Sequence, residues 1–177
     1  MSAILLAALF AGDSTACGGL PPNPAKADES MPPQIAAGAD EKWFSTENGW
    51  SFLAPKDFER QTAPGTTGFA VYRPPPAKPI LNIVFTTEGF DGNVSAFVDK
   101  ERANMRIVKE QARGSGVIIE ETWPLGEGEH GVALVLLAVE NGVGIRLACL
   151  TGSHAFDSQR PICERAIESL RRLLKTP

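Results

Sequence analysis

Val132-Ala133-Leu134-Val135-Leu136-Leu137-Ala138-Val139-Glu140, then Asn141-Gly142, then Val143-Gly144-Ile145-Arg146-Leu147-Ala148-Cys149-Leu150-Thr151, is the stretch that decides the fold class. Asn-Gly between two apolar runs is the strongest short hairpin signal, because both central residues of a tight hairpin turn need positive φ. Ala133 to Val139 is apolar without alternation, so both faces of that strand must be covered. The reading predicts strands over Val132–Glu140 and Val143–Thr151 joined by a two-residue turn.

Further strands flank this hairpin. Val117 to Thr122 precedes a Gly126-Glu127-Gly128 turn, and Trp50-Ser51-Phe52-Leu53-Ala54 is stopped by Pro55. Phe58 to Gln61, Gly68 to Tyr72 and Ile80 to Thr87 complete the set, with Pro74-Pro75-Pro76 and Pro79 interrupting because proline cannot donate to a ladder. Two segments carry helical spacing. Val94 to about Arg113 follows the turn and cap chemistry of Asp91-Gly92-Asn93 and stops at Gly114 and Gly116. Arg160 to Lys175, capped by Asp157 or Ser158, places Ile162, Ala166, Ile167, Leu170, Leu173 and Leu174 on one stripe. Two amphipathic helices and a doubly apolar central strand predict an α+β domain. Its antiparallel sheet would carry helices on both faces, as a three-layer α/β/α sandwich.

The chain's beginning has another character. Ala3 to Ala11 is a nine-residue apolar run, too short to span a bilayer but the length of a secretory signal core. Ser14 and Ala16 supply the small residues a signal peptidase admits, and Ala16-Cys17-Gly18-Gly19 resembles a bacterial lipobox, with Cys17 as the lipidated residue. The plain alternative is a buried helix with an incidental cysteine. Between Gly18 and Asp40, five prolines among Ala, Gly, Asp and Glu remove all apolar periodicity. The expected organisation is a signal peptide over 1–16, a Pro/Ala/Gly-rich tether over 17–40 and one domain over 41–177.

Composition bounds the function. With 17 Lys+Arg against 21 Asp+Glu, no basic surplus exists to displace counterions from nucleic acid. A 43% hydrophobic content suffices for a real core. No run of 18 apolar residues appears, so no membrane-spanning helix is expected.

Once the elements are in order, the domain resembles the PsbP-like and DcrB-like families over roughly Trp43 to Leu173. Gly49-Trp50-Ser51-Phe52-Leu53-Ala54-Pro55 is similar to their opening strand, with Phe58 where the family often has Trp. Ile167-Glu168-Ser169-Leu170-Arg171 is similar to their closing helix, which commonly reads apolar-x-Ser-apolar. The resemblance implies an exported or lipid-anchored protein with an antiparallel sheet between helices. It carries over no catalytic residues.

The residues offer little chemistry of their own. Ser153, His154 and Asp157 place hydroxyl, imidazole and carboxylate within five positions, the basis of an alternative reading as an envelope hydrolase. Catalytic triads are assembled from distant segments, and clusters this local more often cap loops. His130 reads as a solvated edge residue, and Glu120-Glu121 with Glu127 and Glu129 as a solvated acidic rim. Cys149, His154 and Cys163 are too few and too unpaired for a structural zinc site, and in an exported chain Cys149 and Cys163 are expected to form a disulfide. No cofactor motif is present. Arg73-Pro74-Pro75-Pro76-Ala77-Lys78-Pro79 reads as a stiff connection, or alternatively as a polyproline ligand. Trp43 and Trp123 are either core or interface anchors. The expectation is therefore a non-enzymatic, lipid-anchored envelope module that binds a protein partner or small ligand at the membrane.

Overall fold

The computed structural model describes residues 35–76, 80–103 and 105–173. The expected signal peptide, Cys17 and most of the expected tether lie outside the described residues, as do Leu174 and Lys175. In chain order the elements are β1 Glu41–Ser45, β2 Trp50–Pro55, β3 Glu59–Arg60, β4 Phe69–Arg73, β5 Leu81–Gly89, α1 Val94–Arg102, β6 Ile107–Arg113, β7 Gly116–Gly126, β8 Glu129–Glu140, β9 Val143–Gly152, α2 Ser153–Ser169 and β10 Arg171–Arg172. Two antiparallel sheets result, one ordered β3-β4-β5-β9-β8-β7-β6 and one ordered β1-β2-β10.

The β8–β9 hairpin forms as the sequence predicts. Asn141 and Gly142 take φ of 51° and 74°, and the pairing runs from Glu140 opposite Val143 to Gly131 opposite Gly152. Val132, Leu134 and Leu136 join one apolar cluster with Leu147 and Cys149, while Ala133, Val135 and Leu137 join another with Ala148. Both faces of β8 are therefore dry, which explains the unbroken apolar run.

The three-layer α/β/α sandwich does not form. Strand accounts for 51% of the described residues and helix for 19%, in two helices. One face of the large sheet is covered by α2 together with the small sheet, whose Phe44, Trp50, Phe52 and Ala54 share a cluster with Phe156, Cys163, Ala166 and Ile167. Among the described residues, α1 alone lies against the other face, nine residues long, through Phe97 and Val98. Asn93 caps α1 as expected, its Oδ1 accepting the Ala96 N–H at 2.9 Å. The helix nevertheless stops at Arg102 instead of reaching Arg113. Gly114, at φ 54°, and Ser115 form a tight turn with Arg113 opposite Gly116, so the segment before them pairs with β7 as an edge strand. The open edge of β7 outweighs a helical period whose Val108 ends up on the surface.

The last helix is also displaced. It begins at Ser153, seven residues before the expected start, because Ala155 and Phe156 extend the buried stripe of Cys163, Ala166 and Ile167 toward the N-terminus, past the exposed Pro161. Beyond Ser169 the chain turns into β10, where Arg171 and Arg172 pair with Ser51 and Trp50 and the Leu173 N–H reaches Gly49 O at 2.6 Å. Pairing along that side of β2 ends at Ser51, and the next inward N–H, on Leu53, would be orphaned in the core. Ser169 Oγ accepts it at 2.7 Å and donates in turn to Ala166 O at 3.1 Å. The serine of the closing-helix motif thus supplies a missing strand partner. Ser169→Ala is expected to cost about 1–3 kcal/mol, the desolvation of one unsatisfied amide. Chemical denaturation of the two proteins measures it, and an unchanged midpoint would refute this role.

Candidate functional site

The exposed part of the large sheet is the face that α1 only partly covers. Register fixes what stands on it. Asn82, Val84 and Thr86 of β5 lie opposite Leu150, Ala148 and Arg146 of β9, and across β8 the series continues to Glu121, Ile119 and Val117 of β7, with Trp123 next along the same face, opposite Gly131. Beyond α1 this face opens into two hollows that share Trp123 and Leu150 as a common wall.

The first hollow, of about 340 Å³, lies beside the start of α2. Ile80, Leu125, Leu150 and Trp123 give it apolar walls, with Asn82, Glu129 and His154 as polar groups. Ile80 is 73% exposed and Leu125 55%, a large unburied apolar area for two aliphatic residues. Trp123 is seated on a glycine. A Cβ on Gly131, the residue opposite it, would fall 2.2 Å from the indole Cε2, so the ring lies directly over the bare backbone of β8. The Asn82 Oδ1 is buried and, among the described residues, has no hydrogen-bond partner.

The second hollow, of about 570 Å³, is shallower and holds a charged network. Arg146 Nη2 lies 3.2 Å from Glu121 Oε1, and Arg146 Nε 3.9 Å from Glu101 Oε2. Glu121 is buried, and desolvation raises its carboxyl above the usual range despite the pull of Arg146. The solvated acidic rim read from the sequence is thus corrected at two positions. Glu121 is an interior residue paired with Arg146, and Glu120 pairs with Arg160 of α2 at 2.7 Å. One signal could have revealed this network: Arg146 is the only charged residue in the apolar run from Val143 to Thr151.

A third hollow, of about 390 Å³, separates β6 from α2. Its charges are largely spent on one another, Arg160 on Glu120 and Arg113 on Glu168 at 3.5 Å.

Ser153, His154 and Asp157 stand in the first turn of α2 with all three side chains exposed. Among the described residues no hydrogen bond joins any two of them, so neighbours in sequence do not become a nucleophile and its base. His130 is exposed, its Nδ1 3.1 Å from Gly128 O. Trp43 is half-buried under the Arg171 guanidinium, 3.7 Å from the ring centre.

The expected disulfide is also absent. Cys149 and Cys163 are free thiols, fully buried between β9 and α2. A hydrogen bond with Cys163, reinforced by burial, holds the Cys149 thiol well above its ordinary range. The pair packs as two small hydrophobes in contact, not as a bonded bridge. His154 stands apart on the surface, and among the described residues no three His, Cys, Asp or Glu converge as a metal site. In the native protein neither thiol is expected to react with iodoacetamide, whereas both should label fully in denaturant. Labelling of either in the folded state, mapped by mass spectrometry, would contradict this packing.

No family model matches the chain, and no curated protein matches it. Solved structures do. The cyanobacterial PsbP (CyanoP) of Synechocystis sp. aligns at a TM-score of 0.53 and 14% identity, over 80% of this chain and 99% of its own. A protein from Bacteroides thetaiotaomicron aligns equally well, at a TM-score of 0.53 and 14% identity, over 77% of this chain but only 50% of its own length. The chain has a PsbP-like fold, as the sequence resemblance implied.

Proposed function

We propose that this chain is an exported, lipid-anchored bacterial envelope protein whose domain is a non-enzymatic binding or assembly module, holding a partner or small ligand near a membrane. The observation that carries the binding role is the sheet face that the described residues leave open. A half-buried Trp123 seated on Gly131 stands there between exposed Ile80 and Leu125, where a protein without a binding role gains nothing by leaving that surface wet. Support for export and anchoring comes from the sequence alone, in the apolar run before Cys17 and the proline-rich spacer after it. The hydrolase alternative finds no support in the unbonded first turn of α2.

Two experiments test the reading. In detergent-phase partitioning the full chain is expected in the detergent phase and Cys17→Ala in the aqueous phase. Aqueous partitioning of both would remove the anchor. In a pull-down from the native envelope with the tethered protein as bait, a partner lost on Leu125→Glu is expected. Capture that ignores this substitution would show that the open face is not the binding surface.

A further inference from the structure

We infer that the hollow beside the start of α2 binds a small, neutral, single-ring molecule carrying one hydrogen-bonding group, its ring against Trp123 and Leu150 and that group on the amide of Asn82. This deepens the binding-module reading and rests on it.

The size fits, since about 340 Å³ lies within the roughly 300–1,000 Å³ of small-molecule pockets. The walls specify an apolar body. Trp123 and Leu150 form one side, while Ile80 and Leu125 stand at the mouth with most of their surface in water, positioned to be covered by an occupant. The seat of Trp123 is built for a fixed ring position, because the residue opposite is a glycine whose missing side chain leaves room for the indole. A ring held this way offers a rigid stacking wall at little conformational cost.

The polar requirement comes from Asn82. It stands on β5 opposite Leu150, where an aliphatic residue would pack without penalty, yet the chain carries an amide whose Oδ1 is buried and, among the described residues, unpaired. A half turn about χ2 exchanges oxygen and nitrogen, so the amide can present either a donor or an acceptor to an occupant. As it stands the oxygen is shut off from the hollow; that turn brings it to the surface, where a bound hydroxyl or amide can donate to it. Charge narrows the class further. Among the lining residues there is no Lys or Arg, and Glu129 is the one carboxylate. Among the described residues, phosphates and carboxylates therefore find no permanent cation to hold them, and an amine finds only Glu129, which is exposed to water, so the hollow favours neutral molecules.

Phenol and toluene, equal in ring and nearly equal in size, make the test. Each is titrated into the full chain carrying Cys17→Ser, which cannot be acylated, with the Trp123 indole N–H and the Asn82 side-chain amide followed by ¹H–¹⁵N correlation spectra. Saturable shifts at both groups are expected for phenol, which should bind about fivefold tighter than toluene, the equivalent of one net neutral hydrogen bond. Asn82→Leu should bring the two affinities together, and Leu125→Ser, at an exposed position that does not threaten folding, should weaken both. No saturable shift, shifts confined to another face, or a phenol preference that survives Asn82→Leu would each overturn the assignment. Failure of the broader reading looks different. A partner captured through Leu125 without phenol binding rejects this ligand class and keeps the module. Phenol binding without any such partner keeps the ligand site and rejects the assembly role.

Discussion

Arg146→Met is expected to lower stability by about 3 kcal/mol, the usual cost of stripping one partner from a buried pair. Methionine fills most of the same space, so the loss is electrostatic. Glu121 is left buried without its guanidinium, and Glu101, the other carboxylate facing Arg146, then adds repulsion. The sign of the pH dependence follows. The Glu121 carboxyl already lies above its unfolded value because of burial, so the native state holds its proton more tightly than the unfolded chain does. Stability associated with this group is full below the unfolded value and declines as pH rises through the folded one. Without Arg146 the folded value climbs further and the decline extends to higher pH. Urea titrations at several pH values should therefore show the gap between wild type and Arg146→Met widening from acid to neutral. Glu121→Gln alone should cost little, and the double variant should recover most of the loss. A gap independent of pH would reduce Arg146 to a packing residue.

The second large effect is expected at Gly131→Ala, about 2 kcal/mol from overpacking. The new methyl would sit 2.2 Å from Trp123 Cε2, closer than any real contact, and strand geometry leaves it nowhere else to point. The indole must lift off β8, so its fluorescence should shift to the red as the ring meets water. Introduced into Trp123→Leu, the same alanine should cost far less, and that difference is the coupling energy of ring and seat. Equal costs in the two backgrounds would show that the clash is relieved elsewhere.

What the sequence made legible was whatever local chemistry decides. Asn141-Gly142 permits one kind of turn, and the apolar run before it tolerates no wet face, so the central hairpin could be placed nearly to the residue. Cys149 and Cys163 were rightly brought together, since the strand and helix carrying them must pack, but proximity does not fix a bond. Elsewhere the decision belonged to partners far along the chain. Val108 and Ala112 fit a helical stripe, and the vacant edge of β7 makes their segment a strand. β1 escaped notice because Glu41-Lys42-Trp43-Phe44-Ser45 alternates weakly and owes its conformation to β2. The site was half legible. Trp123 stood out in the sequence as core or interface anchor, whereas Glu121 and Arg146 meet across the intervening strand β8, a relation no local pattern encodes.

The completion of β2 by Ser169 and β10 also bears on how the protein is made. A strand near the beginning of the domain acquires its last partners from residues 169–173, which are synthesised after every other described strand, at roughly 5–20 residues per second. Until then the nascent chain has a small sheet with one side bare, a poor nucleus for a stable fold. Such a domain stays threadable through most of its synthesis, in keeping with the export we propose.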